Sequence, residues 1–168
     1  MPSITPEYAA IISKVLQSYK DKYGLDLNYM KFIEDPTPRF NNGKKVPETL
    51  GIVPGGSWTK HKKIYLAPDM EPAMKAYGVT EDKNKFIARI IAHELEHEVY
   101  NNSPGRDRLR AMIASKIAED NFNTAYLDSV KPDKMEEEAF AEYLANNLVS
   151  DLWLKNQNLR IARYLRLY

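Results

Sequence analysis

The chain contains no cysteine. Disulfides, thiolate metal sites and cysteine nucleophiles are therefore excluded, and any metal must be taken by nitrogen and oxygen ligands. An excess of either charge is also lacking. The 24 Lys and Arg stand against 23 Asp and Glu, a formal +1, so no long-range field draws the molecule to nucleic acid or to a membrane surface. No window approaches the ~18 consecutive apolar residues that mark a membrane span. The opening residues, MPSITPEYAA, have neither the basic start nor the apolar run of a signal peptide. Internal repeats and low-complexity linkers are missing too. These absences lead to the expectation of a cytoplasmic protein with neither a membrane nor a nucleic-acid partner. Its 168 residues suit a single domain, 1–168, large enough to bury a core without staples.

The order of elements predicts an α+β fold. Thr5 caps a first helix, Pro6 suits its first turn and Gly24 ends it, with Ile11, Ile12, Val15, Leu16 and Tyr19 on the inner face. LDLNYMKFI alternates as a half-buried strand, residues 35–47 read as a loop, and TLGIV and KKIYLA read as further strands separated by Pro54-Gly55-Gly56. The expected sheet is small and antiparallel. A short helix, EPAMKAYG, precedes a long one over residues 81–101 capped by Thr80. Another follows over 105–119, and the last starts near Pro132. The C-terminal LRIARYLRLY, with Arg160, Arg163 and Arg166, reads as a solvated helix face.

Only three histidines occur, and two stand four residues apart in His93-Glu94-Leu95-Glu96-His97. On a helix that spacing puts both imidazoles on one face, a turn apart, where they reach one ion. Glu94 points to the side, where a carboxylate can hold a water bound to that ion and act as general base. From this composition the pattern is expected by chance about 0.004 times per chain. It also lies on an apolar stripe of Phe86, Ile90 and Tyr100, where an unpaired polar ring costs free energy. Two core histidines satisfied by carboxylates are the bland alternative. Zinc is the favoured reading.

A catalytic zinc site needs a third protein ligand. The metzincin arrangement would place a histidine six residues after His97, but that position is Ser103. The remaining histidine, His61, sits among lysines and reads as a surface residue. A carboxylate must serve, and KMEEEAFAEYLANNLV, residues 134–149, is the densest source. Most acidic runs at a helix start are solvated and simply meet the helix dipole. Here, though, Glu138 and Glu142 share a helical stripe with Ala141, Ala145, Leu148, Val149 and Leu152.

HELEH followed by Glu138-Ala-Phe-Ala-Glu142-Tyr-Leu-Ala145 resembles the gluzincin metallopeptidases, and within them the small ImmA/IrrE-type peptidases, over about half of the chain. The resemblance implies a zincin-like fold and a zinc ion held by His93, His97 and Glu138. It further implies that Glu94 is the catalytic base and that Glu142 orients an imidazole. A protein or peptide substrate would lie along a sheet edge, for which KKIYLA is the natural candidate. Glu136, Glu137, Glu142, Glu119 and Asp120 remain rival ligands. Tyr143, Tyr100, Tyr126, Arg106 and His61 are open candidates for an oxyanion donor. A non-hydrolytic zinc-binding regulatory module and a metal-free helical interaction protein are the other classes to be separated.

Overall fold

The computed structural model describes residues 4–48, 55–76, 78–80, 82–102, 107, 110, 111, 114, 115 and 135–153. The strand expected at TLGIV, the candidate ligands Glu119 and Asp120, and the arginine-bearing C-terminus lie outside the described residues. In chain order the elements are α1 (Pro6–Tyr23), β1 (Lys31–Glu34), β2 (Gly56–Thr59), β3 (Lys63–Leu66), α2 (Glu71–Ala76), α3 (Lys83–Asn102) and α4 (Met135–Trp153). The α+β class is met. Among the described residues, no helix is long and apolar enough to cross a membrane.

The first helix forms as its sequence dictates. Thr5 Oγ1 accepts the Tyr8 N–H, Pro6 opens the first turn, and Gly24 takes the left-handed conformation (φ 66°) that returns its N–H to the last turn. Its inner face buries Ile11, Ile12, Val15 and Leu16, each contributing roughly 1.5–3 kcal/mol of transfer free energy. Tyr19 at the end of that face reaches α3.

The sheet is mixed rather than antiparallel, with order β1-β3-β2. β1 runs parallel to β3, and β2 antiparallel to it. Parallel pairing arises because the chain leaves β1 through the 35–47 loop and crosses to β2 before β3 fills the space between them. β3, the heart of KKIYLA, is thus central. Both sides of its main chain are already paired, so it is not the edge expected to receive a peptide. The edges are β1 and β2, and of these β2, which sequence periodicity did not reveal, is the one that lies against Glu94 of α3. It starts on glycine because α3 approaches so closely: a Cβ on Gly56 would lie 3.0 Å from Ile90 Cγ2 and 3.1 Å from Glu94 Cγ. The pair of glycines that reads as a turn is the place where a strand lies against a helix.

α3 begins at Lys83, two residues later than a Thr80 cap would start it. Asp82 is the cap, its Oδ2 accepting the Lys85 N–H at 3.2 Å. Phe86, Ile87, Ala88, Ile91, Ala92, Leu95 and Val99 are all buried, as expected of a helix with neighbours on most of its circumference. α1, the sheet and α4 supply them, α4 most extensively. Small residues on α4, Ala141 and Ala145, are buried beside Phe140 and Leu144 and let the two backbones approach. This brings the acidic first turn of α4 opposite the two histidines.

Candidate metal centre

The two imidazoles of α3 face each other, His97 Nε2 lying 3.2 Å from His93 Nε2. Glu138 of α4 spans them, with Oε2 3.1 Å from His93 Nε2 and Oε1 3.3 Å from His97 Nε2. The far nitrogen of each ring has its own carboxylate. His93 Nδ1 is 2.9 Å from Glu142 Oε2, and His97 Nδ1 is 2.6 Å from Glu137 Oε2, which Asn101 Nδ2 also approaches at 3.2 Å. Glu136, in the same acidic run, is exposed. The sequence left Glu137, Glu138 and Glu142 as competitors for one role; the structure gives each a different atom. Helical spacing explains the division. Glu138 and Glu142 lie one turn apart on one face, whereas Glu137 is rotated about 100° from Glu138.

These donors fit a cation. A carboxylate at each Nδ1 draws the ring proton there, which leaves a lone pair on each Nε2. Two lone pairs and a carboxylate then converge on one point, an arrangement that is repulsive unless a positive charge sits among them. Tetrahedral zinc with Zn–N near 2.0–2.1 Å would hold two ring nitrogens about 3.3–3.4 Å apart, close to the spacing found. Without a metal, protons fill the same need. Burial opposes charge on His93, but Glu138 and Glu142 overcome it and hold the imidazolium well above its usual range. Burial likewise opposes charge on His97, yet Glu137 and Glu138 push it up to about 9. Burial favours a protonated Glu138, but the two histidines outweigh that effect and hold its carboxyl well below the usual range.

Glu94 lies beside the pair, one of its oxygens within 4.8 Å of a nitrogen of each ring. Its Oε1 accepts the main-chain N–H of Trp58 at 3.0 Å, on the outer edge of β2. Burial pushes its carboxyl up, while the two histidines and the Trp58 N–H pull it back. A buried carboxylate beside the two rings stands where a proton-transfer group would be needed.

No protein-family model, curated protein or solved structure matches this chain. What the site can do must be argued from its own residues.

Trp58 is the functional candidate that sequence reasoning missed. Besides its main-chain bond to Glu94, its indole Nε1–H donates to Glu98 Oε1 at 3.1 Å, and its ring stacks on His97 with centroids 6.0 Å apart. Glu98 is fully buried and its Oε2 accepts from the Tyr29 hydroxyl at 2.5 Å, with Lys62 Nζ at 3.6 Å. One tryptophan thus ties the sheet edge to Glu94, to the His97 ring and to the buried Glu98. Its only signal in the sequence was a large aromatic in an otherwise polar SWTKHKK. Of the suggested oxyanion donors, Tyr143 is fully buried and Tyr100 lies beneath Arg110, 3.7 Å from its ring centroid. His61 is exposed on the hairpin turn, its Nε2 3.1 Å from Asn42 O. Arg106 and Tyr126 lie outside the described residues.

Glu96, inside the same motif, points the opposite way into the core. The Tyr19 hydroxyl donates to its Oε1 and lies 3.0 Å from the Ala92 carbonyl. A phenol has one proton for two acceptors, and a Glu96 carboxyl that carries a proton of its own relieves the competition. Burial pushes this carboxyl up to about 8. The folded chain therefore keeps the proton up to about pH 8, whereas the unfolded chain releases it near 4.5. Stability from this group is complete below that lower value and is lost as pH rises through about 8. Glu96→Gln, which keeps the shape without the ionisation, should narrow or reverse any stability deficit against wild type between pH 5 and 9. Denaturant melts across that range check it; a difference that does not vary with pH would mean Glu96 is ionised in the fold.

Proposed function

We propose that the chain is a zinc-dependent metallopeptidase of gluzincin type. The observation that supports this most is the meeting of His93 Nε2, His97 Nε2 and both Glu138 oxygens at one point, with Glu94 alongside. His93, His97 and Glu138 would hold the ion, and Glu142 and Glu137 would orient the two rings through Nδ1. Zinc held there would polarise the scissile carbonyl and acidify a water molecule. Glu94 takes the proton of the attacking water and returns it to the amine nitrogen as the C–N bond breaks. The Trp58 N–H fixes one Glu94 oxygen, so the other is the one that handles the proton. An extended peptide would add to the outer edge of β2, where main-chain pairing tolerates many side chains.

A non-hydrolytic zinc-binding module is the competing reading. Glu94 beside the two rings is what that reading leaves unexplained, since a closed structural site has no use for an adjacent base. Metal analysis of the purified full-length chain, run alongside cleavage of a mixed peptide library, separates the readings. The expected result is about one zinc per chain, with hydrolysis abolished by a chelator and restored by zinc. Zinc without hydrolysis would favour the binding module. Iron in its place, or no metal, would overturn the proposal, because a pair of histidines with one carboxylate also suits non-haem iron.

A further inference from the structure

Although the whole chain is close to neutral, one end of the sheet is strongly basic. The turn joining β2 to β3 and the turn at residues 40–44 are held side by side by the Lys60 N–H to Asn41 O bond at 2.8 Å and the His61–Asn42 contact. Together with the start of β1 they gather Lys31, Lys44, Lys45, Lys60, Lys62 and Lys63, of which all but the half-buried Lys63 are exposed. Of these six lysines, only Lys62 has a carboxylate of the described residues within salt-bridge distance, the buried Glu98. The arrangement disfavours folding. Lys31 and Lys63 are direct cross-strand partners, and like charges facing each other across a sheet repel. Lys62 adopts a left-handed φ of 61°, where glycine or asparagine would be easier. A solvated surface without a role would relax both features by substitution.

Position says what the cluster faces. The outer edge of β2 carries the Trp58 N–H that grips Glu94, and Asn41 O closes that edge two residues further on, at Lys60. A peptide paired along β2 must leave the edge at that point and pass over the basic turns. At about 3.3–3.4 Å per residue, the side chains that meet the lysines lie roughly two to four residues from the bond at Glu94. We propose that this basic end selects Asp or Glu on one side of the scissile bond, making the chain a peptidase for acidic segments. This rests on the peptidase reading above, but the surface can also be tested by binding alone. A polyanion such as single-stranded nucleic acid would meet the same charge, yet continuity with the edge beside Glu94 favours a peptide.

The test uses the zinc-loaded full chain and peptides that differ only in Glu, Gln or Lys at those positions, on either side of the bond. The Glu peptides should be cleaved with a kcat/KM about tenfold above the Gln peptides, on one side only, as two or three screened contacts would give. The ratio should fall towards one at about 0.5 M salt. Lys44→Glu with Lys60→Glu and Lys63→Glu should invert the preference towards Lys peptides, and Lys20→Gln on α1 should leave the ratio unchanged. Equal cleavage of the three series, or a preference that survives the triple reversal, overturns the inference. If no peptide is cleaved, the peptidase reading fails, and fluorescence anisotropy with the same peptides decides the surface. Tighter binding of the Glu series supports it. Equal binding, or tighter binding of a single-stranded oligonucleotide of matched charge, overturns it.

Discussion

Replacing Glu94 by Gln should lower kcat/KM by about 10²–10⁴-fold, the range that general-base groups supply, while zinc content and melting temperature stay close to wild type. The size follows from chemistry rather than from packing. Glutamine keeps the shape of the side chain, and its amide oxygen can still accept the Trp58 N–H that Glu94 Oε1 accepts at 3.0 Å. It cannot take a proton from water. The loss should therefore fall on kcat, with KM little changed, because ground-state contacts to a peptide on β2 are untouched. Loss of zinc together with activity would mean that the carboxylate supports the metal and is no base. Retention of most of the activity would mean that another group moves the proton.

Much of the centre was legible in the sequence because helical periodicity is a short-range rule. His93, Glu94 and His97 lie within five residues, so one turn of α3 fixes their relation before any tertiary contact forms. Thr5, Pro6 and Gly24 act on the same scale, and the first helix has the caps that they announce. What lies across the chain was harder to read. Gly56 and Trp58 belong to a strand of four residues whose presence depends on how close α3 comes, and no local pattern encodes that distance. The mixed sheet has the same cause, since strand order is decided by which strand enters between the others. The run of glutamates was visible, but its division among the four ring nitrogens depends on the angle at which α4 meets α3.

That angle also explains why acids stand on a helix face that is otherwise apolar. Glu138 and Glu142 bring anions against a packed core, which is expensive unless a cation neutralises them. The two histidines are that cation when protonated. When a metal takes Nε2, they remain hydrogen-bond donors through Nδ1. The cluster therefore suits either a proton-filled or a metal-filled state without rebuilding, and Trp58, stacked on His97 and bonded to Glu94 and Glu98, fixes the sheet edge against both.

The three carboxylates of α4 that meet the histidines should separate clearly in their effect on metal affinity. Glu138→Ala is expected to weaken zinc binding by at least about 10³-fold, because it removes a donor that faces both Nε2 atoms. Glu142→Ala and Glu137→Ala should each cost roughly 10–100-fold, the usual effect of losing a group that orients a ligand ring. Competition with a chromophoric chelator gives all three constants on one scale. If Glu138→Ala costs no more than its neighbours, the ion is held elsewhere, and Glu94 becomes the leading alternative. The pH dependence carries an independent sign. Metal and proton compete for the same nitrogens, and the His97 imidazolium of the metal-free site persists up to about pH 9. Apparent affinity should therefore climb as pH rises from 6 towards 9, with protons released on binding. Glu137→Gln leaves an amide oxygen to accept the His97 Nδ1–H but removes the charge that raises the proton affinity of that ring. Its affinity should consequently level off at lower pH than wild type. A pH profile unchanged by this substitution would show that Glu137 does not set the basicity of His97.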